Sequence, residues 1–89
     1  MSVQPTGFLD DLKKIHVLAS SGNLAEADRL FEETIRPYLS RLAETAINDE
    51  ASGAALLWAQ SLEDFLRNDQ GTPWREVELA KEDFENAAA

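Results

Sequence analysis

The sequence predicts an all-α fold, a small antiparallel bundle of three to four helices. Apolar residues recur at helical spacing in each long segment, whereas no segment shows the sustained alternation of apolar and polar residues that indicates a strand. Of the 89 residues, 44% are hydrophobic, which is enough for one small core. We therefore expect a short disordered lead over residues 1–6 and a single helical domain over residues 7–89.

The first helix is expected over about residues 7–20. Its apolar residues fall on one stripe: Phe8, Leu12, Ile15 and Ala19. Gly22 is predicted to end this helix, because glycine adopts the left-handed backbone conformation of helix C termini without steric cost. Asn23 then caps the next helix with its side chain, and Glu26, three residues later, is placed as in a capping box.

The second helix contains Pro37 in the middle of its apolar stripe. A proline in a helix interior removes one backbone hydrogen bond and clashes with the carbonyl group four residues earlier, at a cost of about 3 kcal/mol. The stripe nevertheless keeps its phase across Pro37: Leu24, Ala27, Phe31, Ile35, Tyr38, Leu42 and Ala46. The pattern therefore favours one long helix that is kinked at Pro37, with a break into two helices as the alternative.

The third helix is expected to begin at Asp49 or Ser52 and to end at Arg67. Its run AALLWA, residues 54–59, cannot share one face, because successive residues lie about 100° apart around a helix axis. This helix is therefore expected to lie centrally in the bundle, or to be covered by a partner or a second copy. The residues predicted to form such an apolar interface are Leu56, Leu57 and Trp58, together with Trp74 of the last helix.

The last helix is expected after a loop over residues 68–71, with Thr72 as its cap and Pro73 at its first position. Trp74 lies on its apolar side. Because tryptophan is enriched at binding hot spots and so small a domain has limited room to bury two, one tryptophan is predicted to anchor an interface. Trp58 is preferred for that role because of its apolar neighbours.

The charge of the chain is unevenly distributed. The net charge is −9, of which residues 1–48 carry −2 and residues 49–89 carry −7. Nucleic acids and anionic membranes are bound through clustered lysine and arginine, so direct binding to either is disfavoured. The negative second half either keeps the protein in solution or attracts a basic partner. The residues predicted to contact such a protein form a stripe on the last helix: Glu78, Glu82 and Glu85.

The spacing G-x-L-x-x-A-x-x-x-F is formed by Gly22, Leu24, Ala27 and Phe31. Residues 8–39 thereby resemble a single tetratricopeptide repeat. The resemblance implies a tight helical hairpin in which the glycine turns the chain, the alanine lets the helices approach and the phenylalanine fills the gap. It also implies protein binding without catalysis. No second copy follows at a period of about 34 residues, so a hairpin and not an array is expected.

The sequence shows no catalytic or metal-binding motif. It contains no cysteine, and His16 is its single histidine, without a second histidine at metal-ligand spacing. Adjacent acids such as Glu32 and Glu33 point about 100° apart on a helix and do not form a catalytic dyad. We therefore predict no enzymatic activity, no metal and no cofactor. The lack of cysteine and of a signal-peptide pattern favours a cytoplasmic location.

These observations favour a small acidic protein that occupies a basic protein, as an inhibitor, an antitoxin-like neutraliser or a chaperone-like accessory factor. Two alternatives remain open. A nucleic-acid mimic would place carboxylates where DNA places phosphates, and would so block a DNA-binding protein. A structural homo-oligomer, such as a homodimer, would contact a second copy through residues 56–58.

Overall fold

The computed structural model describes residues 5–47, 49–67 and 73–88 of the chain. Every element within these ranges is helical, which confirms the all-α fold class. The elements are α1 (Pro5–Ser20), α2 (Leu24–Leu30), a π-helical turn (Phe31–Ile35), α3 (Arg36–Ala46), α4 (Glu50–Arg67) and α5 (Trp74–Ala88). The predicted loop at 68–71 and the predicted cap Thr72 lie outside the described residues, as do residues 1–4 of the predicted lead.

The chain divides into two compact units. The first ends at Tyr38 and contains α1, α2, the π-helical turn and the first residues of α3. The second begins at Leu39 and contains the rest of α3, α4 and α5. That residues 7–89 form a single helical domain stays a prediction.

In the first unit, α1 and α2 form a helical hairpin. α1 begins at Pro5, two residues before the predicted start, because the first helical position needs no backbone N–H and tolerates proline. The four residues of its predicted stripe are all buried, as are Ala27, Phe31 and Ile35 on the returning segment. The ring of Phe8 meets the ring of Tyr38 edge-on, with 6.2 Å between their centroids. The start of α1 therefore lies beside Tyr38, which follows α2 and the π-helical turn, so α1 runs antiparallel to these two elements.

The turn of this hairpin depends on Gly22, whose φ of +85° confirms the predicted left-handed position. The N–H of Gly22 donates to the carbonyl of Ala19 at 3.1 Å, and the N–H of Asn23 donates to that of Leu18 at 2.9 Å. These two bonds form the Schellman pattern of a helix end. Asn23 stands at the N-cap of α2, but its side chain makes no capping bond. Glu26 pairs with Arg29 instead, so the predicted capping box is wrong.

Pro37 does not end the helix. The π-helical turn of residues 31–35 precedes it, and the N–H of Arg36 donates to the carbonyl of Phe31, five residues earlier. The hydroxyl of Thr34 donates to the carbonyl of Leu30 at 2.7 Å. The wider π-helical turn accommodates a residue that has no N–H and whose ring crowds the preceding turn in a regular α-helix. Helical backbone therefore continues through Pro37 to Ala46, and the alternative of a break is not observed.

In the second unit, α4 and α5 pack as an antiparallel pair. Trp58 lies against Phe84, with ring centroids 5.5 Å apart, and Phe65 lies against Trp74 at 5.0 Å. Because the later residue of α4 meets the earlier residue of α5, the two helices run in opposite directions. The buried side chains of the pair are Ala55, Trp58, Ala59, Leu62, Val77 and Phe84.

The start of α4 is capped by Asp49, whose carboxylate Oδ2 accepts hydrogen bonds from the N–H of Ser52 at 3.2 Å and from its hydroxyl at 2.6 Å. Pro73 lies one position before α5, and its carbonyl accepts the N–H of Glu76 at 3.0 Å. Helix starts therefore agree with the sequence patterns to within one or two residues, which is the usual uncertainty of helix ends.

Gly22→Ala is expected to lower the free energy of unfolding by about 1–2 kcal/mol, because an L-residue pays that cost in the left-handed conformation. No atom lies within 4 Å of the added Cβ, so this cost comes from the backbone alone. The measurement is urea denaturation followed by far-UV circular dichroism. Gly53→Ala is the matched control: its Cβ makes ordinary contacts with Ala46, and higher helix propensity should raise stability by about 0.5–1 kcal/mol. Equal stability of the two variants would contradict this account.

Candidate protein-binding surface

The acidic stripe predicted from the sequence lies on α5. Glu78, Glu82 and Glu85 are all exposed, and their spacing of four and three residues puts them on one side of the helix. α5 presents two further exposed acids, Glu76 and Asp83. The helix therefore carries five carboxylates against two bases, Arg75 and Lys81.

The five carboxylates of α5 differ in whether a base neutralises them. Lys81 Nζ lies 3.0 Å from the Glu85 carboxylate and 5.9 Å from the centroid of the Trp58 ring, so this lysine is held by both groups. Within the described ranges, no ion pair joins a base to any of the other four: Glu76, Glu78, Glu82 and Asp83. The stripe thus retains two unpaired carboxylates, and two more lie elsewhere on the same helix.

Acids of the first unit are better neutralised by their own helix. Arg29 binds Glu26 and also Glu33, whose Oε1 lies 3.0 Å from its Nη1. The hydrogen bond from Arg29 lowers the pKa of Glu26, and the same bond raises the pKa of Arg29. Arg36 binds Glu32 at 2.9 Å. A basic partner would have to displace these pairs. Asp10 and Asp28 of the first unit are exposed and in no ion pair among the described residues, but α5 carries four such carboxylates on one helix.

The apolar residues predicted to form an interface have different environments. Trp58 has no exposed surface, because Phe84 and Lys81 cover its ring. The preference for Trp58 as an interface anchor is therefore corrected: this side chain is a core residue of the second unit. Trp74 is half-buried against Phe65, and Leu56 is half-buried. Leu57, with 60% of its surface exposed, is the member of the run that faces solvent.

Leu79 on α5 is an exposed apolar residue that the sequence reasoning missed. It is 48% exposed and lies among the charged residues of that helix. The exposure of Leu79 could have been predicted from its position relative to Val77 and Phe84, which lie on the core side of α5. Two residues beyond Val77 is about 200° around the axis, which places Leu79 opposite the core.

The remaining candidate for chemistry, His16, is a buried residue of α1 that is 8% exposed. Across the part of the chain that the structure describes, no three histidine, aspartate or glutamate side chains are grouped to hold a metal ion. None of the described helices has the length and apolar character needed to cross a bilayer. Large apolar side chains are exposed in both units: Val17 and Leu24 in the first, and Ile47, Leu57 and Leu79 in the second. Of these five, Leu79 is the one that lies on the acidic helix α5.

The sequence matches no protein-family model, and neither a curated protein nor a solved structure matches it significantly. The resemblance of residues 8–39 to a tetratricopeptide repeat therefore stays a prediction. The structure gives that region a helical hairpin with Gly22 at the turn and with Ala27 and Phe31 buried, which is a geometry that any tight helix pair shares.

Proposed function

We propose that this chain is a non-catalytic binding protein that occupies a basic protein partner through the acidic surface of α5. The observation that carries the proposal is the concentration of exposed and unpaired carboxylates on one helix: Glu76, Glu78, Glu82 and Asp83. Glu78 and Glu82 are four residues apart, a spacing at which like charges destabilise a helix slightly. Lysine or arginine side chains from a partner would replace that repulsion by attraction.

Such a surface supports the covering of a basic site. Complementary charge accelerates encounter and rejects partners of the same sign, while exposed ion pairs add little affinity each. An inhibitor, an antitoxin-like neutraliser and a chaperone-like accessory factor all act by covering a surface in this way. Because salt screens exposed charges beyond about 8 Å at physiological ionic strength, partner binding is expected to weaken as salt is added.

Reversing the two unpaired charges of the stripe tests this function. Glu78→Lys with Glu82→Lys is expected to weaken partner binding by about tenfold or more, through loss of attraction to several basic groups. Glu85 is left unchanged because its ion pair holds Lys81 over Trp58. The measurement is capture of partner from native cells by the tagged full chain, with quantification by mass spectrometry.

The matched control is Glu44→Lys with Asp64→Lys, two exposed acids on α3 and α4 whose reversal changes the net charge by the same amount. The control variant should still capture one basic protein in stoichiometric amount, and the α5 variant should lose that protein. Circular dichroism should show equal helicity in the two variants. Loss of the partner from both variants would indicate attraction by net charge alone. Recovery of only the chain itself would contradict the proposal and favour a homo-oligomer, with Leu57 as its exposed apolar contact.

A further inference from the structure

We propose that the face of α5 opposite its core binds a basic amphipathic helix, whose apolar side covers Leu79. This inference rests on the proposed function and specifies the chemistry of the partner. The Leu79 face is defined as Leu79 and the residues three and four positions away on the same helix: Arg75, Glu76, Glu82 and Asp83.

The position of Leu79 follows from the core side of α5. Val77 and Phe84 are buried, so the direction they share faces α4. Leu79 lies about 200° from Val77 around the axis and keeps 48% of its surface exposed. The packing of α4 against α5 therefore leaves about half of the surface of this leucine in contact with solvent.

Charged residues surround Leu79 on all sides of the helix surface. Residues three and four apart on a helix are neighbours, so Glu76, Glu82 and Asp83 lie around the leucine together with Arg75. All four are exposed, and no ion pair involving them occurs among the described residues. The Leu79 face thus has an apolar centre and a rim that is acidic in three of four positions.

Leu57 shows that exposure alone does not create this pattern. It is the more exposed leucine, at 60%, yet its neighbours on α4 are uncharged: Gly53, Ala54, Gln60 and Ser61. An uncharged surface of that kind carries no information on the sign of a partner. The Leu79 face does, because its rim complements lysine and arginine.

Charge complementarity and the central leucine together select the occupant. A basic segment without apolar residues would satisfy the carboxylates but leave Leu79 in water. A second copy of this chain, with its net charge of −9, would bring like charge against the rim. A helix with an apolar stripe flanked by lysine or arginine meets both requirements, since its residues also recur at three and four positions.

The test uses synthetic peptides and the full chain. The first peptide, of about 18 residues or five turns, places leucine on one helical side and lysine on its flanks. The second has the same composition, scrambled so that leucine and lysine do not segregate. Fluorescence anisotropy of the labelled peptides measures their affinity for the wild type, for Leu79→Ser and for Leu57→Ser as the matched exposed-leucine control.

The patterned peptide is expected to bind the wild type about tenfold more tightly than the scrambled one, a difference of about 1.4 kcal/mol. Leu79→Ser should remove that advantage, while Leu57→Ser should leave it within about twofold, because only the first leucine lies in the contact. Circular dichroism should show unchanged helicity in both variants.

Three kinds of result overturn the inference. If both peptides bind equally, and both are weakened by Glu78→Lys with Glu82→Lys, α5 recognises basic charge without Leu79; the proposed function then stands and this inference fails. If neither peptide binds, both fail. A patterned peptide that keeps its advantage on Leu79→Ser, or loses it equally on Leu57→Ser, would place the contact elsewhere and also overturn the inference.

Discussion

Trp58→Ala is expected to lower the free energy of unfolding by about 3–5 kcal/mol, the range for truncating a large aromatic residue in a core. The side chain has no exposed surface, and its ring lies against Phe84 and beneath Lys81. Its removal loses apolar burial, an aromatic contact and a contact with the lysine side chain at once. A chain of 89 residues has a total stability of about 4–13 kcal/mol, so this loss is a large fraction of it.

Leu57→Ala is the control for Trp58→Ala because the two residues are adjacent in sequence but have opposite exposure. Leu57 is 60% exposed, so its truncation should change stability by no more than about 0.5 kcal/mol. Urea denaturation followed by far-UV circular dichroism measures both variants against the wild type. Similar losses in the two variants would mean that the core direction of α4 is assigned incorrectly.

This pair of residues also shows where the sequence ceased to be informative. In the run AALLWA, residues 55–58 each have an apolar residue on both sides in the sequence. The spacing of apolar residues within α4 therefore does not show which side of the helix is buried. The direction of burial is determined by Val77 and Phe84, which are contributed by a different helix. A rule about interface tryptophans then favoured Trp58, although the same large apolar ring is what the core of a small unit needs.

Local patterns were predictive where one local cause determines the structure. The stripe of α1 is buried as predicted, and Gly22 occupies the left-handed position that glycine alone adopts freely. The predicted side-chain cap of Asn23 is absent. An N-cap residue usually has an extended backbone, whereas Asn23 has a φ of −86° and a ψ of 64°. Pro37 was recognised as a disturbance, but the sequence alone does not determine whether a kink, a break or a π-helical turn absorbs it.

For the candidate surface, the charge of α5 was readable from composition and spacing, whereas its neutralisation was not. Lys81 pairs with Glu85, four residues later, and also lies over Trp58 of the neighbouring helix, a contact that the sequence of α5 alone does not predict. Leu79 lies on a different side of α5 from its core residues, so the apolar stripe of the helix does not include it. The two features together, and neither alone, give the Leu79 face its expected preference for a basic amphipathic partner.

Phe31→Ala is expected to destabilise the first unit by about 3–5 kcal/mol, through a cavity beneath α1. Phe31 is 1% exposed and belongs to the π-helical turn that packs against α1, with the Arg36 guanidinium 5.9 Å from its ring centroid. Its carbonyl accepts the Arg36 N–H whatever its side chain, so the substitution should change packing and leave the π-helical turn in place.

Hydrogen exchange followed by mass spectrometry tests this separation of packing from backbone structure. Phe31→Ala should lower the protection of α1 amides near Leu12 and Ile15, which the hairpin buries completely. Phe31→Leu preserves most of the volume and should cost less than about 1.5 kcal/mol, while it removes the contact between Arg36 and an aromatic ring. If Phe31→Leu were as damaging as Phe31→Ala, the contribution of Phe31 would come from that contact and not from filling the core. If the amides of α1 kept full protection in Phe31→Ala, the stability of the hairpin would not depend on Phe31. The phenylalanine of the G-x-L-x-x-A-x-x-x-F spacing would then not have its predicted role of filling the gap between the helices.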